Sequence, residues 1–254
     1  FISTVLSNKL LILSQYFPPE IGAPQNRLFG LAKELQKNNF KITVLTALPN
    51  YPKMEIQENY KGLKTHFECI DGINTHRTSI YVSQKKGIVP RLRNYFSFVW
   101  SSYFYGKKSL DKNYDYILCE SPPLFLGITG YLLSRSKKAK FIFNISDLWP
   151  ESAEKLEIVT NKLLLKSATI LEEWLYKKSH LITGQTQGIT ENIQNRFPNK
   201  KIHWLPNGVD LDKFEKPIDS SFREKNNFQK EDILFFYGGI LGHAQGLEVI
   251  LNAS

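Results

Sequence analysis

Four short segments combine carboxylates, glycines, aromatics and prolines at spacings that suit ligand chemistry. In Phe17-Pro-Pro-Glu-Ile-Gly-Ala-Pro24, Glu20, Gly22 and Ala23 stand just before the apolar repeat of a helix. Free N–H groups and the dipole at such a helix start suit a phosphate or a sugar hydroxyl, although a glycine in such a turn also has a purely steric explanation. Asp147-Leu-Trp-Pro-Glu151 follows an apolar run. Asp147 can accept hydrogen bonds from sugar hydroxyls, Trp149 offers a stacking face and Glu151 a second carboxylate. An equal reading has Asp147 capping the next helix while Trp149 packs beneath it; both stay open. Trp204-Leu-Pro-Asn-Gly-Val-Asp210 places the turn pair Asn207-Gly208 after a strand. Gly238-Gly239, Gly242-His243 and Gly246 follow another apolar run and open a helix, the shape of a phosphate-binding turn. That turn lacks the Gly-Lys-Ser/Thr ending of an ATPase loop and departs from G-x-G-x-x-G, and His243 is its one candidate cation.

Other chemistries are poorly supplied. Asp210-Leu-Asp212 matches a bare D-x-D metal pattern, but three-residue patterns arise often by chance. His66, Cys69 and His76 lack a fourth ligand, so no metal site is assigned. The two cysteines, Cys69 and Cys119, have no companion at metal-ligand spacing, which points to a reduced, cytoplasmic protein. A net charge of +9 and a pI of about 9.3 favour anionic partners. No basic arm or nucleic-acid signature occurs, so nucleic acid is not expected. No apolar run reaches the ~18 residues of a membrane span, and residues 1–14 lack the basic start of a signal peptide. Residues 88–108 mix aromatics with basic ends. They suit either an anionic membrane surface or, the favoured reading, a helix packed on a sheet.

The elements that must position these segments alternate. Strands are expected at 9–14, 40–46, 115–120, 140–146, 180–184 and 201–205, with helices at 24–38, 90–110, 124–134, 160–178 and 186–196. A hairpin is expected over 65–81, turning at Asp71-Gly72. This rhythm predicts an α/β fold: a doubly wound, mostly parallel Rossmann-like sheet. After residue 205 the grammar restarts, with a polar stretch, an apolar strand at 232–237 and a helix from 247. The expected division is therefore a domain over 1–205, then a linker and the first βα unit of a second Rossmann-like domain over 206–254.

Taken in order, the first loop with Arg27, Asn50-Tyr51-Pro52, Asp147-Leu-Trp-Pro-Glu-Ser152, Leu205-Pro-Asn-Gly-Val-Asp210 with Phe214, and Tyr237-Gly-Gly-Ile-Leu-Gly242 resemble the family-4 glycosyltransferases. The likeness is nearest to bacterial members that build O-antigen or capsule with fucosamine or acetamido sugars. The resemblance implies the two-domain GT-B fold and retaining transfer from a nucleotide sugar, without cofactor or essential metal. The implied acceptor is a polyprenyl-diphosphate-linked glycan at the cytoplasmic face of the membrane, with peripheral contact to anionic lipid.

By position, Asp147 would lie beside the reacting sugar and act in catalysis. Glu20, Gly22 and Ala23 would touch donor phosphates and acceptor; Asn207 and Gly208 would sit at the hinge; Gly239 and Gly242 would begin the diphosphate site. The chain departs in having Ala23 where many relatives have a second glycine, and Ile240 and Gln245 near where they carry Arg and Lys. The family's E-x7-E donor motif would fall beyond Ser254, so the chain alone is expected to be inactive. The competing reading is a non-catalytic module that binds a glycan or a partner.

Overall fold

The computed structural model describes residues 7–85, 87–156, 159–209, 211, 221–239 and 245–253. The chain divides into two compact units, Phe1–Val209 and Asp210–Ser254.

The first unit is built on strands β1 (Lys9–Leu13), β2 (Lys41–Ala47), β3 (Thr65–Ile70), β4 (Ile73–Thr78), β5 (Tyr116–Ser121), β6 (Lys140–Ile145), β7 (Leu181–Gly184) and β8 (Ile202–Trp204). They form one sheet in the order β3-β4-β2-β1-β5-β6-β7-β8. Every pairing is parallel except β3 with β4. The central strands are nearly continuous apolar runs because helices cover both faces. Their two-residue period sorts the core. Leu11 and Leu13 enter a cluster with Phe98, Leu126, Leu133 and Phe143, whereas Leu10 and Ile12 pack with Leu28, Ala32 and Val44 on the other side. Helix α1 (Ala23–Lys37) covers the second face. Helices α2 (Ile88–Ser109), α3 (Leu126–Ser136), α5 (Lys162–Lys178) and α6 (Gln187–Arg196) contribute to the first. This is the doubly wound α/β arrangement that the alternation predicts.

The exception at β3 follows from local chemistry. Asp71 and Gly72 both have positive φ, 47° and 81°, the requirement of a tight two-residue hairpin turn. β3 alternates exposed and half-buried positions, as befits an edge strand with one wet face. A short helix α4 (Glu151–Lys155), absent from the sequence expectations, follows the Asp147 loop.

Close approach of α3 to the sheet and to α5 depends on missing side chains. A Cβ on Gly130 would stand 2.8 Å from both Cys119 Cβ and Phe141 Cε2, and one on Gly127 only 2.5 Å from Leu175 Cδ1. Overpacking a close-packed site of this kind costs typically 1–3 kcal/mol. Gly130→Ala should therefore lower the urea midpoint of the first unit without changing the slope of the transition; an unchanged midpoint would show that α3 can shift freely.

The second unit holds α7 (Phe222–Lys225) and α8 (Glu248–Ala253), with no buried residue in either. The strand expected at 232–237 does not form, and Phe235 is 93% exposed. A two-faced parallel strand needs neighbours to take its N–H and C=O groups and helices on both sides. No described residue of Asp210–Ser254 belongs to a strand that could supply that ladder.

Candidate functional site

From β1 the chain winds towards β2 in one direction and, after the hairpin and α2, towards β5 in the other. Strand order thus reverses between β1 and β5, and the crevice outside their carboxyl ends is where open α/β sheets bind ligands. The loop before α1, the Pro122-Pro123 turn after β5 and the Asp147 loop after β6 all lie along that edge.

A buried polar cluster supports it from below. Glu120, Asn144 and Thr183 occupy register partners on β5, β6 and β7. Asn144 Nδ2 donates to Glu120 Oε2 at 2.5 Å, and Thr183 Oγ1 to Asn144 Oδ1 at 2.6 Å. Arg27, on the second turn of α1, reaches over this row. Its Nη2 donates to Glu120 Oε1 at 2.5 Å and to Ser146 Oγ at 3.0 Å, and its Nη1 reaches Asn207 Oδ1 at 3.5 Å. Ser146 also donates to Glu120 and accepts from Gln185 Nε2 at 2.7 Å. One guanidinium therefore links α1, the residue preceding Asp147 and the segment that ends the unit. Burial pushes the Glu120 carboxyl above the usual range, opposed by Arg27, Ser146 and Asn144.

The first loop is braced separately. Glu20 Oε1 accepts from the backbone N–H groups of Asn50 at 2.7 Å and Tyr51 at 2.8 Å, while Oε2 accepts from Phe17 N–H at 3.3 Å. Desolvation raises its pKa against those three bonds. Fully buried Arg77 donates to Glu68, to Pro18 O and to Ala47 O, tying the same loop to the hairpin. Around it, Gln15 Oε1, Gln25 Oε1, Arg27 Nε and Asn50 Oδ1 are buried without a protein partner. Native proteins leave few such atoms unsatisfied, so their concentration at one edge marks a place where a polar ligand or water completes the bonding.

The expected site residues divide accordingly. Glu20 is corrected in its surroundings: at 2% exposure, with both oxygens held by backbone N–H groups, its carboxylate is engaged in shaping the loop. Gly22 precedes α1, whose start has no side-chain cap. A Cβ at Gly22 would meet Gln25 Oε1 at 2.5 Å, so the glycine keeps space beside the orphaned amide. Ala23, the first residue of the helix, is exposed.

Asp147 is exposed and accepts from Ser152 Oγ at 2.8 Å. It does not cap α4, whose start has no side-chain cap, and that half of the alternative falls. The other half stands: half-buried Trp149 packs against the core and meets Phe125 edge-to-face at 5.6 Å. Glu151 pairs with Lys155 at 2.6 Å. Asn207 joins Arg27, and Gly208 is open to solvent. Gly239 is exposed in the second unit; Gly242, His243, Asp210 and Asp212 lie outside the described residues. His66 and His76 project from opposite faces of the hairpin, since His66 pairs with Arg77 and His76 with Phe67; they cannot share one ion.

The Glu120–Asn144–Thr183 row was not singled out from sequence. Its signal was a polar residue late in each of three largely apolar strands, and only the strand order shows that they meet.

Comparison with known proteins gives this edge a context. The sequence profile of Glycosyltransferase Family 4 matches residues 25–213. The chain is 22% identical over 254 residues to the putative colanic acid biosynthesis glycosyl transferase WcaI of Escherichia coli (strain K12), covering 97% of this chain and 62% of that protein. It spans, therefore, less than two thirds of the relative's length. Among solved structures, Anabaena Alr3699/HepE in complex with UDP and glucose superposes with a TM-score of 0.51 at 14% identity over 87% of this chain and 50% of that one. The Candida albicans trehalose-6-phosphate phosphatase N-terminal domain superposes with a TM-score of 0.51 at 15% identity, covering 87% of this chain and 53% of that one. Both structural likenesses concern the fold. With the profile covering most of the chain, from α1 past β8, the chain belongs to glycosyltransferase family 4.

Proposed function

We propose that the first unit is the acceptor-side domain of a retaining glycosyltransferase that moves a sugar, an acetamido-deoxyhexose, from a nucleotide sugar to a polyprenyl-diphosphate-linked glycan. The setting is O-antigen or capsule assembly at the cytoplasmic face of the membrane. The nucleotide sugar is a substrate, and no resident cofactor or metal is invoked. The observation that carries this reading is the set of orphaned buried groups, Gln15, Gln25, Arg27 and Asn50, around an uncapped helix start at the topological switch point. Sugar hydroxyls and phosphate oxygens are the groups that such donors and acceptors recognise. The polysaccharide setting is inferred from the colanic acid relative, and the nucleotide donor is supported by the UDP-bound neighbour. Asp147 faces this edge as the acidic side chain beside the reacting sugar, and the second unit begins the donor half with Gly239, Gly242 and His243.

The test gives the whole protein a panel of UDP-, GDP- and dTDP-sugars with lipid-linked acceptor. Transfer with retained anomeric configuration is expected. Neither transfer nor donor hydrolysis with any of them would overturn the reading. Residues 1–254 alone should not turn over, because the family's donor motif is not among them; turnover by this piece would refute the division of labour.

A further inference from the structure

Strand β3 closes one side of the sheet, with β4 as its neighbour on the inner side. The two-residue turn makes Ile70 and Ile73 a hydrogen-bonded pair, and the bond from Ser79 N–H to Lys64 O keeps that parity. The N–H and C=O groups of Thr65, Phe67 and Cys69 therefore point outward, where no described residue bonds to them. The three side chains are exposed as well, Phe67 by 55%. Natural sheets blunt such an edge with proline, lysine or a bulge. Residues 65–70 hold no proline or lysine, and their register with β4 is unbroken from Thr65–Thr78 to Ile70–Ile73. The carboxylate in this strand, Glu68, is already neutralised by buried Arg77.

This open edge is complementary to itself. We propose that the chain forms a two-fold dimer by antiparallel pairing of β3 with β3 of a second copy, centred on Phe67. Thr65 then pairs with Cys69 of the second copy, Phe67 with its Phe67, and Cys69 with its Thr65, so every outward N–H and C=O finds a partner. In that register His66 faces Glu68 of the second copy, and Lys64 comes beside its Asp71 turn, each contact occurring twice. Residues 55–71 carry Glu55, Glu58, Glu68 and Asp71 against Lys61 and Lys64, so this edge escapes the repulsion that the net charge of +9 would impose elsewhere. Helix α2 supplies the apolar seam. It lies on the Phe67 side of the hairpin, where Phe67 packs on His76 with ring centroids 4.8 Å apart and His76 Nδ1 meets Tyr105 at 2.9 Å. Ser101 of the same helix donates to Ser79 O. Phe104, about 60° further round the helix, stays 63% exposed and stacks on Trp100. A two-fold axis normal to the sheet sets both α2 helices on one face of a continuous sheet, with Phe67 and Phe104 lining the trough between them.

The test is sedimentation velocity on the whole protein from about 1 to 200 μM, which should show a monomer–dimer equilibrium in the micromolar range, as suits an interface of modest area. Phe67→Pro removes the outward N–H at the axis without costing a bond to β4, and Phe67→Lys sets two like charges face to face. Each should weaken the dimer about tenfold or more. Leu163→Lys, which adds the same charge at a 78% exposed site on α5, should leave it unchanged. Circular dichroism melting confirms that each variant folds. Thr65→Cys should form a covalent dimer under mild oxidation, because Cα atoms of such a pair stand about 5.5 Å apart, within disulfide reach. The parent should not, since the two Cys69 residues are about 13 Å apart along the paired strands. A monomer throughout the concentration range overturns the proposal, as does a dimer that both Phe67 variants leave intact or that Leu163→Lys weakens equally. Cross-linking of the parent as readily as of Thr65→Cys overturns the register.

Discussion

Replacing Arg27 with methionine should lower the unfolding free energy of the first unit by about 3–5 kcal/mol, the usual result of removing one partner of a buried pair. The guanidinium side chain is 12% exposed and the Glu120 side chain 3%, so water cannot take over the lost bonds. Methionine fills similar volume but leaves the carboxylate only the Ser146 hydroxyl and the Asn144 amide. Glu120 already has a raised pKa, with burial the largest cause and Arg27 the first of the opposing ones. Without Arg27 it rises further. A carboxyl whose pKa is higher folded than unfolded contributes stability at acid pH and loses it as pH climbs through the folded value. The deficit of Arg27→Met should therefore be larger at pH 8 than at pH 5. Adding Glu120→Gln removes the charge while keeping a hydrogen-bonding side chain, and should recover much of the loss and flatten the pH dependence. Urea titrations followed by tryptophan fluorescence at both pH values check this. A loss below about 1 kcal/mol for Arg27→Met, well outside the range for such pairs, would remove the pair as the support of the edge.

What made that pair hard to read from sequence is instructive. The alternation of apolar runs and amphipathic stretches announces a doubly wound sheet because each central strand is buried on both faces, and burial on both faces leaves a run without polar interruption. Glu120, Asn144 and Thr183 are such interruptions, each late in its strand. Each alone looks like a polar residue near a strand end. Their meaning depends on β5, β6 and β7 being neighbours in register, which hydrophobic periodicity does not encode. Glu20 misled for a related reason. A carboxylate in a glycine- and proline-bearing loop resembles a ligand contact, but the loop itself has N–H groups to satisfy, those of Phe17, Asn50 and Tyr51, and two of these lie thirty residues away. Residues 232–237 erred in the opposite direction. Ile233, Phe235 and Phe236 carry the composition of a buried strand, yet composition sets only the preference for burial, and the ladder must come from other segments.

The Asp147 loop was legible as a site and ambiguous in role, and its geometry sharpens a second expectation. In the whole protein, Asp147→Asn should lower kcat/KM for sugar transfer by about 10²–10⁴-fold, the span over which groups acting on the reacting centre operate. Asparagine has the same shape, and its Oδ1 can still accept from Ser152 Oγ, the one bond that the carboxylate makes to the α4 segment. With Asp147 exposed, stability should stay within about 0.5 kcal/mol of the parent, as for surface substitutions away from special features. The same side-chain volume with a large kinetic loss and no thermal loss would isolate the negative charge as the functional property. The partition of the effect is diagnostic: a fall in kcat with little change in KM places the charge in the transition state, whereas a rise in KM alone makes Asp147 a binding group. Activity within threefold of the parent would take Asp147 out of the chemistry. Glu151, the first residue of α4 and paired with Lys155, serves as the control carboxylate: Glu151→Gln removes the same charge four residues further on and should leave kcat nearly unchanged, since its charge is already engaged by a neighbouring cation on the helix surface. If the two substitutions lowered kcat alike, the general negative potential of this segment, and not the Asp147 carboxylate itself, would be what transfer requires.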